Sequence, residues 1–235
     1  MTGNVELMAA RMGWVAARNY VIVEGTSDVA YLTRASKLHE LERGCPLLDA
    51  DLAVVASGRG DDGGVDGVNR RLIFYRQLAE MDASGTGAWQ HRFIGLLDND
   101  MAGRSAFTIA SSFDRRIEPY VDIFLLHPVM PVFPLGYDRA MEIARVNRPF
   151  RGLDWEVEDL CSERILRLFE AQYTGGVQVK NGIGGKIHRE LHPDFKPELR
   201  KIFIEEATLA DAGGFVELLR MLRIYLSLPH DFVQL

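Results

Sequence analysis

The sequence predicts an α/β fold with a parallel sheet, on three observations. Short, nearly continuous apolar runs recur at 20–23 (YVIV), 52–56 (LAVVA), 93–97 (FIGLL) and 121–126 (VDIFLL). Stretches with apolar residues at helical spacing lie between them. Two of the runs stop abruptly in carboxylates and glycine. Apolar runs without alternation suit strands covered on both faces, and strands that alternate with helices give a parallel order with helices on both sides. The expected architecture is a four-stranded parallel sheet flanked by helices over 1–128, followed by a mainly helical extension over 129–235 that packs on this core.

Each element has its own warrant. Val5, Met8, Met12 and Val15 space a short amphipathic helix within 4–17. After the first strand, Val29, Leu32, Ala35 and Leu38 mark a helix from Ser27 to about Arg43, stopped by Gly44-Cys45-Pro46. The second strand, 51–56, runs into a glycine-rich loop at 57–67, SGRGDDGGVDG, whose backbone N–H groups can meet phosphate or ribose oxygens. It is not a P-loop, because no GK[ST] follows, and an exposed turn accounts for it equally well. Val68, Leu72, Tyr75 and Leu78 face inward on a helix over 65–81, with Arg70 and Arg71 near its start, either as phosphate contacts or as surface charge. The third strand is followed by a helix over 104–114 and by the fourth strand, 121–126, which His127-Pro128 ends.

The second half differs in texture. A proline-rich apolar stretch at 130–134 leads into the arginine-bearing segment 136–151. Residues 154–171 read as a helix capped by Asp154, with Val157, Leu160, Ile165, Leu168 and Phe169 apolar. Its opening is acidic, with Glu156, Glu158 and Asp159. A basic stretch over 180–201 holds Lys186 just before an expected helix, with Lys196 further on and His188 and His192 at i and i+4. A final amphipathic helix spans 211–228, with Phe215, Leu218, Leu219 and Leu222 inward.

Composition narrows the function classes. The chain has 235 residues, 47 % apolar and 26 % charged, with a formal net charge of −6. That is ordinary for a globular enzyme and argues against a broad electrostatic coating of nucleic acid, though not against local binding. No apolar run approaches the roughly twenty residues needed to cross a bilayer, and the start of the chain lacks the pattern of a signal peptide. Cys45 and Cys161 have no metal-ligand spacing, which fits reduced thiols. A cytoplasmic protein with no membrane partner is expected.

The chemistry concentrates where apolar runs end. Glu24, Gly25 and Asp28 follow the first strand, and Asp98, Asp100 and Gly103 follow the third. In an open parallel sheet the carboxyl ends of strands face the ligand crevice, so Glu24, Asp98 and Asp100 are expected to converge. Carboxylates so close repel one another unless a cation sits between them, and all-oxygen ligands suit Mg²⁺ or Mn²⁺. Taken singly, Glu24 and Asp28 can cap the following helix, and Asp98-Asn99-Asp100 can be a turn. A calcium loop is excluded, because Ala102 and Ile109 stand where its third and last acids belong.

VEGTSD together with LLDNDMAG resembles the TOPRIM domain of topoisomerases, bacterial primases, ribosomal RNA maturases and OLD-family nucleases. The resemblance covers 19–126, a little under half of the chain. It implies a Rossmann-like core in which Glu24 serves acid–base or metal chemistry and Asp98 and Asp100 bind one or two Mg²⁺ or Mn²⁺ ions, with Asp28 nearby. It implies close backbone approach at Gly25 and Gly103, and phosphate contacts from Arg59 and Arg104. OLD-like nucleases also carry an acid and a lysine after the core, and WEVEDL and NGIGGK offer Glu158 and Lys186 for those roles, with Lys196 as the second choice for the lysine. The function this resemblance implies is metal-dependent hydrolysis of phosphodiester bonds in DNA or RNA. Stand-alone domains of this kind look most like anti-phage defence effectors, held by an ATPase partner acting in trans, and a homo-oligomer is compatible with that. The alternatives are a non-catalytic Mg²⁺-dependent nucleic-acid or nucleotide-binding module, or a primase-like nucleotidyltransferase.

Overall fold

The computed structural model describes residues 3–58, 63–83, 89–132 and 138–230. Arg59, Asp61 and Asp62 lie outside the described residues. Strands β1 (Asn19–Val23), β2 (Leu52–Ala56), β3 (Arg92–Leu97) and β4 (Ile123–Leu125) form one sheet in the order β2-β1-β3-β4, with every neighbouring pair parallel. Between and around them run α1 (Asn4–Met12), α2 (Thr26–Arg43), α3 (Gly64–Met81) and α4 (Met101–Phe113). This is the expected α/β architecture, a parallel sheet flanked by helices.

Local chemistry explains the boundaries. The first helix ends at Met12 rather than near 17 because Gly13, at φ +67°, caps it in the left-handed conformation. β4 is three residues long, and Asp122 just before it closes a turn, its N–H donating to the Glu118 carbonyl at 2.9 Å. Its carboxylate pairs with Arg76 and accepts a hydrogen bond from the Glu118 N–H. Gly95 lies mid-strand in β3, where an added Cβ would come within 2.9 Å of Val68 on α3. The missing side chain lets helix and sheet close together. Tyr20, Tyr75 and Phe93 stack at the centre of this core, with ring centroids 4.9 Å and 5.2 Å apart for Tyr20–Phe93 and Tyr75–Phe93.

The chain forms two compact units, each assembled from several stretches of the sequence. The sheet unit comprises Met1–Val29, Leu48–Leu97 and Ala102–Leu125, and the other comprises Ala30–Leu47, Asp98–Met101 and Leu126–Leu235. The second unit contains α5 (Arg139–Val146), α6 (Glu163–Gln172), α7 (Lys196–Glu206) and α8 (Gly213–Tyr225). Tyr31, Phe203 and Phe215 pack ring against ring within it, with centroids 4.9–5.3 Å apart.

Two expectations for this half are corrected. Residues 154–171 are not one helix. A 3-10 turn, Val157–Leu160, comes first, and α6 starts only after Ser162, whose hydroxyl accepts the Ile165 N–H. Lys186 does not precede a helix. It opens β6 (Lys186–Leu191), which pairs antiparallel with β5 (Val177–Ile183) around Gly184-Gly185, both at positive φ. That two-glycine turn suits a tight hairpin. The final helix is also shorter than expected, Gly213–Tyr225. No helix among the described residues is long and apolar enough to cross a membrane.

Candidate metal centre

Asp98 directly follows β3, at the head of the short segment that belongs to the second unit. The next residue, Asn99, bridges to Trp155 in both directions. The Asn99 N–H donates to the Trp155 carbonyl at 2.9 Å and the Trp155 N–H donates back at 3.3 Å. Two residues further along, the Val157 N–H donates to Asp98 Oδ1 at 2.9 Å. These bonds lay 155–158 alongside 98–99. Glu156 has extended backbone, at φ −111° and ψ 168°, so side chains two apart can share a side, which a helix forbids. Carboxylate oxygens of Asp98, Glu156 and Glu158 accordingly come within 4.8 Å of one another.

The electrostatics of this cluster are lopsided. Glu158 is buried, and its Oε2 has no hydrogen-bond partner among the described residues. The first residue of α7, Lys196, places its ammonium 2.7 Å from Glu156 Oε2 and 3.5 Å from Glu158 Oε1. Burial pushes the Glu158 carboxyl above its ordinary range, and the repulsion of Glu156 and Asp159 adds to this, against the pull of Lys196. Burial opposes the charge on Lys196, but Glu158, Glu156 and Asp98 outweigh it and hold the ammonium above the ordinary lysine range.

Asp159 turns elsewhere. Its carboxylate accepts from the N–H groups of Glu156 and Arg189 and meets His188 Nδ1 at 2.7 Å. His188 and His192, which share a helical spacing in the sequence, are not a metal pair. His188 is buried in β6 against Asp159, and His192 caps the short turn that follows.

No family model, curated protein or solved structure matches the chain.

Of the residues singled out from sequence, the structure brings Asp98 and Glu158 together. It adds Glu156 and supplies Lys196 in the place foreseen for Lys186. Lys186 lies instead over the Trp155 ring, 5.6 Å from its centroid. Asp100, half-buried, is not a member of the cluster. In the sheet unit, Glu24 follows β1 and its carbonyl accepts from the Ser57 hydroxyl and the Gly64 N–H. Asp28 accepts the Gly25 N–H at 2.8 Å, a helix-capping task at the start of α2. A Cβ at Gly25 would meet no atom of the described residues, its chain neighbours aside, nearer than 3.9 Å. Gly103 is buried in α4 and Arg104 is exposed on it. Arg71 is committed to the Ser57 carbonyl and Arg70 to the Asp66 carbonyl.

The donors fit a divalent cation. They are all oxygen, which suits Mg²⁺ or Mn²⁺ over zinc. Lys196 stands beside the three carboxylates, and one buried Glu158 oxygen has no partner among the described residues. Glu156 was legible in the E-V-E alternation of 156–158, provided those residues were read as extended rather than helical.

Proposed function

We propose that this chain is a divalent-metal-dependent nuclease that hydrolyses phosphodiester bonds in DNA or RNA. The observation that carries the reading is the meeting of Asp98, Glu156 and Glu158 within 4.8 Å around the unpartnered Glu158 oxygen. A bound Mg²⁺ or Mn²⁺ would polarise a phosphoryl oxygen and lower the pKa of water. The chain's own part is to hold and orient. The Val157 N–H fixes Asp98, the backbone bridge between Asn99 and Trp155 fixes the two glutamates, and Lys196 offers a cation to the charge that develops on phosphorus. The acid–base role of Glu24, the defence setting, the ATPase partner and the cytoplasmic location are carried over from the TOPRIM resemblance.

The test is cleavage of labelled DNA and RNA pools with Mg²⁺ or Mn²⁺, beside Asp98→Ala, Glu158→Gln and Glu24→Ala. Metal-dependent cleavage lost in the first two variants supports the site, and loss in the third supports the role of Glu24. Equal cleavage by all four proteins sinks the proposal.

One observation favours a second reading. Lys196 already stands 2.7 Å from Glu156, so cation and lysine together would make a phosphate-holding site without turnover. Metal-dependent retention of an oligonucleotide that stays intact would select this binding module.

A further inference from the structure

Two basic segments that stand apart in the sequence meet in the second unit. The first is the end of the arginine-bearing stretch, where Arg148–Phe150 forms a 3-10 turn. Asn147 anchors it. Its buried side-chain amide accepts the Val129 N–H at 3.0 Å and donates to the Val129 carbonyl at 2.8 Å. The second is the tip of the β5–β6 hairpin. A Cβ at Gly184 would come within 2.9 Å of the Phe150 ring and 3.3 Å of the Pro149 carbonyl oxygen. The missing side chain lets the two turns close together. Two residues on, Lys186 lies over the Trp155 ring, and Trp155 directly precedes Glu156 of the acidic cluster.

The cations brought together here are not neutralised. Arg148 and Arg151 are exposed and Lys186 is half-buried, and none of the three makes an ion pair among the described residues. Other cations of this half have acids of their own, Arg145 at Glu142, Arg164 at Asp211 and Lys180 at Glu170. Neither 147–153 nor 181–188 contains an acid. Asp154, the one acid between Arg151 and Glu156, lends its charge to His188. On a chain of net charge −6, this is a local positive surface beside a negative cluster.

We propose that Arg148, Arg151 and Lys186 form a docking surface for the sugar-phosphate backbone of a nucleic-acid strand and lead that strand to the acidic cluster. The complementarity is of charge and of shape, because a guanidinium meets a phosphate through two parallel hydrogen bonds. The reach is suitable. Arg151 and Glu156 are five residues apart, so their backbones lie within about 18 Å. At about 3.4 Å per phosphate along one strand of a duplex, about five nucleotides cover that span. The choice of nucleic acid over another polyanion rests on the nuclease reading, since only a phosphodiester gives the neighbouring carboxylates and their metal something to cut.

The experiment reads binding in EDTA, so that it stands apart from metal-dependent cleavage. Short fluorescein-labelled single-stranded DNA, duplex DNA and RNA are titrated at several salt concentrations, with anisotropy as the readout. The proteins are the wild type, Arg148→Gln, Arg151→Gln, Lys186→Gln, the triple variant and Arg11→Gln. Arg11 is exposed on α1, so its variant makes the same charge change outside the surface. Each phosphate contact to a single strand contributes about 0.7 to the slope of log affinity against log salt. Each single variant at the surface should flatten that slope by about 0.7 and the triple variant by about 2, with affinity lowered about tenfold or more, while Arg11→Gln matches the wild type. That result with any of the three nucleic acids supports the proposal, and the one bound tightest names the substrate. No binding by the wild type, or a triple variant with wild-type affinity and slope, overturns it even if the protein cleaves nucleic acid with metal. Equal retention of poly-glutamate or of phosphatidylserine vesicles, lost in the triple variant, also overturns it, because the surface then does not select nucleic acid. Binding through the three cations with no cleavage in Mg²⁺ or Mn²⁺ overturns the nuclease reading and leaves the docking surface standing.

Discussion

Lys196 bridges Glu156 and Glu158, with its ammonium 2.7 Å from one carboxylate and 3.5 Å from the other. The lysine comes from the first residue of α7, and the glutamates come from the 3-10 turn and the residue before it. It is a cation paired with both glutamates of the cluster. Its removal and its competition with metal are therefore the first properties to measure.

Lys196→Met should destabilise the metal-free protein, because it leaves Glu158 buried without its counter-charge. Losing one member of a buried pair costs about 3–5 kcal/mol. About a third of the lysine side chain is in contact with solvent (34 % exposed), which screens the pair and places the loss nearer about 2 kcal/mol. Saturating Mn²⁺ should restore part of it by binding the folded state. Urea unfolding in EDTA and in Mn²⁺ measures both. Identical midpoints for wild type and variant in EDTA would show that the lysine does not hold the cluster.

Metal affinity should sort the acids. Glu158→Gln removes the buried oxygen that has no partner, and it should weaken Mn²⁺ binding by about tenfold or more. Asp100→Asn should have a smaller effect, since Asp100 is not part of the cluster. Titration calorimetry with Mn²⁺ ranks them. An Asp100 variant that loses as much affinity as the Glu158 variant would move the centre back to the DND turn.

Much of this was readable from sequence, for reasons that differ by element. The four parallel strands were legible because runs such as YVIV and FIGLL are uniformly apolar, and that pattern is what burial on both faces leaves. Asp98 was legible because it follows such a run. The hairpin around Gly184-Gly185 carried its own signal, two adjacent glycines between alternating residues, but the basic character of 180–201 masked it as a helix. The acidic cluster failed at one step. The acids at 154–159 look like a helical first turn, and only the tertiary demands on them, with Asp159 pulled to His188 and Val157 to Asp98, turn the chain extended at Glu156. Lys196 could not be chosen over Lys186 from spacing, because both precede apolar periodic segments and only the hairpin decides which one reaches the carboxylates.

Gly213 and Gly214 make a matched pair at the start of α8. A Cβ at Gly214 would come within 2.6 Å of the Leu160 carbonyl oxygen, a backbone atom at the end of the turn that carries Glu158. A Cβ at Gly213 would meet nothing within 4 Å. Gly214→Ala should therefore cost about 1–3 kcal/mol through overpacking and weaken Mn²⁺ binding as the turn is displaced. Gly213→Ala should be neutral or stabilise by up to about 1 kcal/mol through helix propensity. Thermal unfolding with a parallel Mn²⁺ titration tests this. Equal stability and equal metal affinity for the two alanine variants would mean that the contact between α8 and the turn is loose.

His188 gives the protein a dependence on pH that can be traced to one pair. Its ring meets Asp159 at 2.7 Å, with both side chains nearly buried, at 4 % and 2 % exposed. Burial alone would lower its pKa, but the hydrogen bond and charge of Asp159, helped by Glu156 and Asp154, raise it above the ordinary 6.5. The folded state thus holds this proton more tightly than the unfolded chain does. The stabilisation is fully present below pH 6.5 and fades as pH rises through the folded value. His188→Gln should cost about 1.5–3 kcal/mol at pH 6, where the charged pair is lost, and less at a pH high enough for the wild-type His188 to have lost its proton. The measurement is the unfolding midpoint of both proteins between pH 5.5 and 9. The wild-type curve should descend toward the variant's as pH rises above 6.5, and two curves that stay parallel throughout would show that the His188–Asp159 pair does not set the pH response.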